Sequence, residues 1–425
     1  MSEHHYGLIR YACYAVNVSM SVISTLSPLL FIGFRELYGI SFSLLGTLVL
    51  VNFCTQLAID IFLSFYAGKC NLPLLIRIIP VLTAAGLLLY ALSPFLFPNA
   101  VYAGLLCGTV IFAASGGLSE VLISPVIAAL PSDHPEKDMS RLHSVYAWGV
   151  VLVVTLSTLF LSAFGTRNWY WLALIWTVVP LLSCLLFAFS RIPPLDTPER
   201  PANVLSFFRN RDFLLCIFCI FLGGASECTM SQWASGYIEQ ALRLPKVAGD
   251  ILGVALFALM LGLGRSLYAA RGGNIYKALT FGAGGAVLCY LMAALSASPW
   301  LALAACAVTG LCTAMLWPGS LIMAEDRMPA ANVAVFALMA AGGDLGGSVG
   351  PQLVGIVTDA AMYAAPVAGL ADRLGLSVQQ LALKIGLLSA VLFPTLAACL
   401  FAFAWARRGS GKKEGVPAQE SDTAA

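Results

Sequence analysis

The stretch GGLSEVLISPVIAALP, Gly116 to Pro131, sets one glutamate inside an otherwise apolar run. A carboxylate carried into hydrocarbon costs a few kcal/mol, so such residues are rare, face the interior of a bundle and mark a path for ions or solutes. Glu120 carries that meaning only if the run lies in a bilayer, and the rest of the chain decides whether it does.

Of the 425 residues, 60% are hydrophobic and 10% are charged, against about 25% charged in an average soluble domain. Mean hydropathy is +0.87. The apolar runs recur at lengths near the roughly 20 residues that cross a bilayer. They lack the two-residue alternation of barrel strands, so the chain reads as an all-α membrane protein. Twelve spans are expected, beginning near Leu8, Phe42, Leu72, Ala100, Leu142, Trp169, Phe213, Val247, Ile275, Leu301, Val333 and Leu381. The breaks carry turn and cap residues, as in AGKCNLP, LSPFLFPN, PSDHPEKD and AARGGN. No small-residue cleavage site follows the first span, which is read as a retained helix and not a secretory signal.

With both ends in the cytoplasm, all but six of the 23 Lys and Arg (Arg35, Arg167, Arg243, Lys246, Arg373 and Lys384) fall toward the cytoplasmic side. The positive-inside rule requires that bias, and the expected location is the cytoplasmic membrane. The cysteines are scattered and lie mostly within spans, where they read as small apolar side chains. Neither they nor the histidines point to a metal, and no cofactor or nucleic-acid partner is expected.

The charged connection SRIPPLDTPERPANVLSFFRNRD divides the spans six and six. Residues 1–190 are expected to form one six-helix bundle, 191–212 a cytoplasmic linker, 213–408 a second bundle and 409–425 a disordered tail. At a constant offset, GGLSEVLISP (116–125) falls on TGLCTAMLWP (309–318), which pairs Gly117 with Gly310 and Pro125 with Pro318. Internal duplication of this kind marks secondary transporters, whose site lies between the repeats near mid-membrane.

NFCTQLAID, EVLISP, SRLHSVYAWG, ASECTMSQWASGY, LWPGS and AAGGDLGGSVGPQLVG resemble the major facilitator superfamily, and within it a bacterial subgroup similar to the fucose and glucose proton symporters. The resemblance covers essentially the whole chain. It implies two pseudo-symmetric six-helix bundles, alternating access, and proton-coupled symport of a small polar, sugar-like solute by a monomer. Glu120 matches the fourth-helix glutamate that resembles the proton acceptor of those symporters. The chain departs from the pattern at AGKCNLPLLIR, which lacks the family's Asp-Arg, and at Asn17, where the fucose symporters carry an acid.

Four acids lie well inside spans. At 1.5 Å per residue, Glu120 stands about 16 Å from Pro131, Asp344 about 18 Å from Asn332 and Glu227 about 22 Å from Asp212, all near mid-membrane, whereas Asp60 is about 10–13 Å from the cytoplasmic end. No Lys or Arg is expected at the depth of the first three, so Glu120, Glu227 and Asp344 are the candidates for proton coupling. At the repeat offset Glu120 faces Thr313, so the repeat itself does not demand an acid there. Each acid has a competing role in helix packing, and Asp344, among the glycines of AAGGDLGGSVG, most of all, because small residues at that spacing bring another backbone close.

Glu227 and Ser231 share one face of the seventh span, Trp233 and Tyr237 another. Aromatic planes with a few amides suit a sugar-like solute, stacking on its apolar faces and bonding its polar edges. Asn17, Asn52, Gln56, Gln232, Trp233, Tyr237 and Trp317 are the candidate binding residues, each with core packing as its alternative. Asp60, His143 and Arg265 are read as gating residues. A proton-driven exporter of drugs or metabolites and a transport-dead sensor remain open alternatives. An intramembrane enzyme has only AGGD in its favour, and neither HExxH nor GxSxG occurs.

Overall fold

A computed structural model of the chain describes residues 4–66, 69–131, 135–195, 207–328 and 333–411. It is 88% helix, with no strand among the described residues. The spanning helices are α1 (His4–Tyr38), α2 (Phe42–Tyr66), α3 (Leu72–Leu96), α4 (Val101–Ala128), α5 (Pro135–Phe164), α6 (Trp169–Ala188) and α7 (Arg211–Gln240). α8 passes from a turn at Lys246–Ala248 through a π-helical stretch, Gly249–Ala255, into Leu256–Arg271, and α9 is Ile275–Leu295. α10 breaks between Pro299–Thr313 and Leu316–Arg327, α11 is Val333–Met362, and α12 joins Val378–Ser389 to Leu392–Gly411.

Eleven of these are long and apolar enough to cross a membrane. A twelfth comes from Leu338–Met362 taken with Ala365–Leu374, a short helix bent 85° away from it. The expected starts hold except for α5, which begins at Pro135, well ahead of Leu142. Hydropathy does not register its polar first turns, yet there Asp138 is buried and meets Arg10 at 3.1 Å. The central part of the expected linker, 196–206, and the tail from 412 lie outside the described residues.

The breaks are set by caps. Asn71, Asn210, Asn274 and Ser298 each accept backbone N–H bonds at a helix start, and Ser377 with Gln380 forms a capping box. Gly272 (φ +62) and Gly273 (φ +120) end α8 in a conformation that side chains resist.

α11 packs along α7 on one side and α2 on the other. Its contact with α7 requires glycine: a Cβ at Gly346 would collide with the Phe221 carbonyl. α11 therefore carries Asp344 to the junction between the first six helices and the second six. Polar ties between α11 and α2 run from that junction toward the face opposite the chain ends: Cys54 with Ser348, Thr47 with Gln352, and Asp359, whose carboxylate accepts the N–H groups of Phe42 and Ser43 at 3.1 and 2.6 Å.

Candidate functional site

Asp60 of α2, Glu120 of α4 and Asp344 of α11 converge, with a carboxylate oxygen of each within 4.8 Å of the others. α2 and α4 come together through Gly117, where a Cβ would stand 2.8 Å from the Gln56 carbonyl. The Gln56 side chain lies over Gly116. Glu120 is exposed, Asp60 half-buried and Asp344 buried. Among the described residues no Lys or Arg forms an ion pair with Glu120 or Asp344. Asp60, expected nearer the end of its span and apart from the other acids, stands with them. Counting along an axis ignores helix tilt and side-chain reach, and together these bring its carboxylate level with theirs. Asp344 turns its carboxylate to this group, while its glycine neighbours make the backbone contact with α7.

Glu227 is placed differently. Both its oxygens accept from the Arg265 guanidinium at 3.3 and 3.4 Å, and Arg265 Nε donates to the Ala314 carbonyl at 3.1 Å. That carbonyl is freed by the break in α10. The expectation that no basic residue reaches mid-membrane depth is thus corrected for Glu227. A long arginine on α8 extends to the acid from a Cα nearer the helix end, a reach that residue counting does not capture.

Asn52 and Gln232 line a small pocket with Ser24, Ser27, Thr109 and Phe112. The Oδ1 of Asn52 is buried there without a hydrogen bond, and Gln232 donates to the Ser24 carbonyl at 3.4 Å. The other uncharged candidates are committed to packing. Asn17 donates to the Leu142 carbonyl at 2.8 Å and ties α1 to α5. Trp233, 1% exposed, lies against Phe31 and Phe42 and donates to the Pro351 carbonyl. Tyr237 is equally buried and donates to the Ala293 carbonyl. Trp317 lies over Gly343, where a Cβ would stand 2.6 Å from its ring. The face shared by Trp233 and Tyr237 therefore packs into the core. The side chain of His143 lies outside the described residues.

Sequence reading missed Ser24 and Ser27, which sit three apart in SVISTLS and so share a helix face, a signal that was there to be used. It also missed the Tyr146 hydroxyl, 3.3 Å from Ser24 Oγ, and the fully buried Asp250, which follows Lys246 by one helical turn in KVAGD. Cys216 and Cys219 are spaced C-x-x-C but lie as buried free thiols within α7.

A helical bundle with polar groups buried where its two sets of six helices meet has the form of a transporter. Residues 12–351 match the sequence model of the Major Facilitator Superfamily. The chain belongs to that superfamily. Its members are transporters and not enzymes, so this is a multi-pass membrane transport protein. The superfamily fold is shared with a bacterial homologue of the human lysosomal transporter Spinster, solved in an inward-facing and occupied conformation (15% identity, TM-score 0.73, covering 98% of this chain and 100% of that one). It is shared with the nucleoside transporter NupG (14%, 0.70, 95% and 99%) and with the E. coli fucose:proton symporter FucP (17%, 0.57, 94% and 99%). No curated protein matches this transporter by sequence.

Proposed function

We propose that the chain is a proton-coupled symporter carrying a small polar, sugar-like solute across the cytoplasmic membrane by alternating access, with both termini in the cytoplasm. In this reading the moving units are the bundles of residues 1–190 and 213–408, joined by the linker 191–212. The supporting observation is the carboxylate trio, because Asp60 and Glu120 belong to the first six helices and Asp344 to the second, within 4.8 Å. Three like charges at that spacing repel one another strongly in a low-dielectric setting. A proton held among them relieves the repulsion that opposes closure of α11 against α2 and α4. Proton loading is thereby linked to the approach of the two bundles, which is the motion that moves the solute.

Within the trio, Glu120 is the member that exchanges its proton with water, since it is the exposed one, and Asp344 and Asp60 set the cost of leaving it charged. Glu227 already has its counter-charge in Arg265 and ranks behind them, as half of a pair that moves with the second bundle. Asn52 and Gln232, with Ser24 and Ser27, are the groups best placed to bond a solute, in a pocket about 12 Å along α2 from Asp60.

The test is a screen of neutral polar solutes with the purified protein in vesicles holding a pH-sensitive dye. Symport expects at least one transported solute to move protons in its own direction. Solute uptake with no proton movement would remove the coupling, and protons moving against the solute would mark an exporter instead.

A further inference from the structure

Away from the trio, toward the face opposite the chain ends, lies a second buried charge cluster that the transport reading does not use. Asp250 is fully buried in the π-helical stretch of α8. Glycine at 249 lets α8 close on α7, since a Cβ there would stand 2.9 Å from the Ser235 carbonyl. One oxygen of Asp250 accepts from the Ser235 hydroxyl of α7 and from Lys246 Nζ at 3.4 Å. Its other oxygen accepts from the Thr158 hydroxyl of α5 at 2.7 Å. Lys246 also lies 3.8 Å from Glu239 of α7 and donates to the Leu29 carbonyl of α1 at 2.8 Å.

These bonds sort into two kinds. Ser235, Glu239, Lys246 and Asp250 all belong to α7 and α8, so their mutual bonds travel together when the two sets of helices rock. Only Thr158 to Asp250 and Lys246 to Leu29 cross between the sets. We infer that Asp250 and Lys246 form a latch that holds the molecule closed at this face, fastened by Thr158 and the Leu29 carbonyl. The division explains how buried charges can serve a moving joint. A buried carboxylate stripped of its partners is strongly unfavourable, but here opening removes one hydroxyl and leaves the ammonium and the Ser235 hydroxyl in place. Lys246 likewise keeps both acids and exchanges one carbonyl for water. The latch is therefore releasable. Asp250 is a positioning residue for the transport cycle, acting on the balance of states and not on the solute. The inference rests on alternating access and is independent of which ion or solute is carried.

Two substitutions that each delete one hydroxyl from the same carboxylate separate a latch from ordinary packing. Dyes on non-natural residues at Asn99 and Ala297, in exposed loops at this face on the first and second sets of helices, report opening by energy transfer in the full-length protein in nanodiscs. Thr158→Val should raise the open-to-closed ratio about tenfold, the effect of one hydrogen bond to a charged group. Ser235→Ala should lower thermal stability yet leave the ratio at the wild-type value, because its bond persists in both states. Equal shifts in both variants, or none in Thr158→Val, would overturn the latch. Should Thr158→Val fail to fold, Thr158→Ala supplies the same reading without setting a methyl against the carboxylate, and Thr158→Ser, which keeps the hydroxyl, should restore the wild-type ratio.

Discussion

Glu120 and Asp344 belong to different six-helix sets, yet their carboxylates lie within 4.8 Å of each other with Asp60 beside them. An acid cluster shared across the junction between two sets of helices changes its energy when those sets separate. Acids confined to one set would not respond in that way, and Glu227, paired within the second set, is the internal comparison.

Breaking that pair should destabilise the protein. Arg265→Met leaves Glu227 largely buried and without its cation, and a loss of about 1–2 kcal/mol is expected for a pair exposed on one side. Glu227→Gln combined with Arg265→Met should recover most of it. Thermal unfolding in detergent is the measurement, and a double variant no better than Arg265→Met would show that the two side chains act separately.

Trp233 fills the core between α1, α2 and α11. Trp233→Ala should lower stability by about 3–5 kcal/mol, as large-to-small changes at buried aromatics do, and any loss of transport should follow the loss of folded protein. Trp233→Phe, which keeps most of the volume, should transport with near-normal affinity. A folded Trp233→Phe protein that no longer binds solute would return this residue to the binding site.

Glycine at 346 is required by contact and glycine at 284 is not. Gly346→Ala drives a methyl into the Phe221 carbonyl and should abolish accumulation of folded protein. Gly284→Ala, with nothing within 4 Å of the added carbon, should express normally. Equal yields of the two in a fluorescence-detected chromatography assay would contradict the close packing of α7 on α11.

Most of the fold was legible in the sequence because hydrophobic runs of bilayer length are long, repeated signals. Asparagine and glycine at the breaks gave most boundaries. The start of α5 was hidden because a helix does not end where its hydropathy does. The site was only partly legible: Glu120 and Asp344 announce themselves as acids in apolar runs, but which acids meet depends on helix tilt and rotation, which no residue count supplies. Hence Asp60 looked separate from Glu120 and Asp344, and Arg265 too far from Glu227. Trp233 and Tyr237 share a face, as their spacing requires, but spacing does not say whether that face meets a cavity or the core.

The assignment of sides follows from the basic residues. A cysteine at Lys69 should be shielded from an impermeant maleimide in intact cells, while cysteines at Asn99 and Ala297 should react. All three positions are exposed in loops, so differences in labelling report the side of the membrane. Reaction at Lys69 with protection at the other two would invert the topology.

The central claim is that a proton exchanged at Glu120 drives solute movement. Glutamine keeps the shape and hydrogen-bonding capacity of the side chain but cannot give up a proton. In vesicles with an imposed pH gradient, the Glu120→Gln protein is expected to lose uphill accumulation while still exchanging internal for external solute, since exchange needs rocking of the bundles and no net proton release. Accumulation by this variant that still follows the pH gradient would contradict the account.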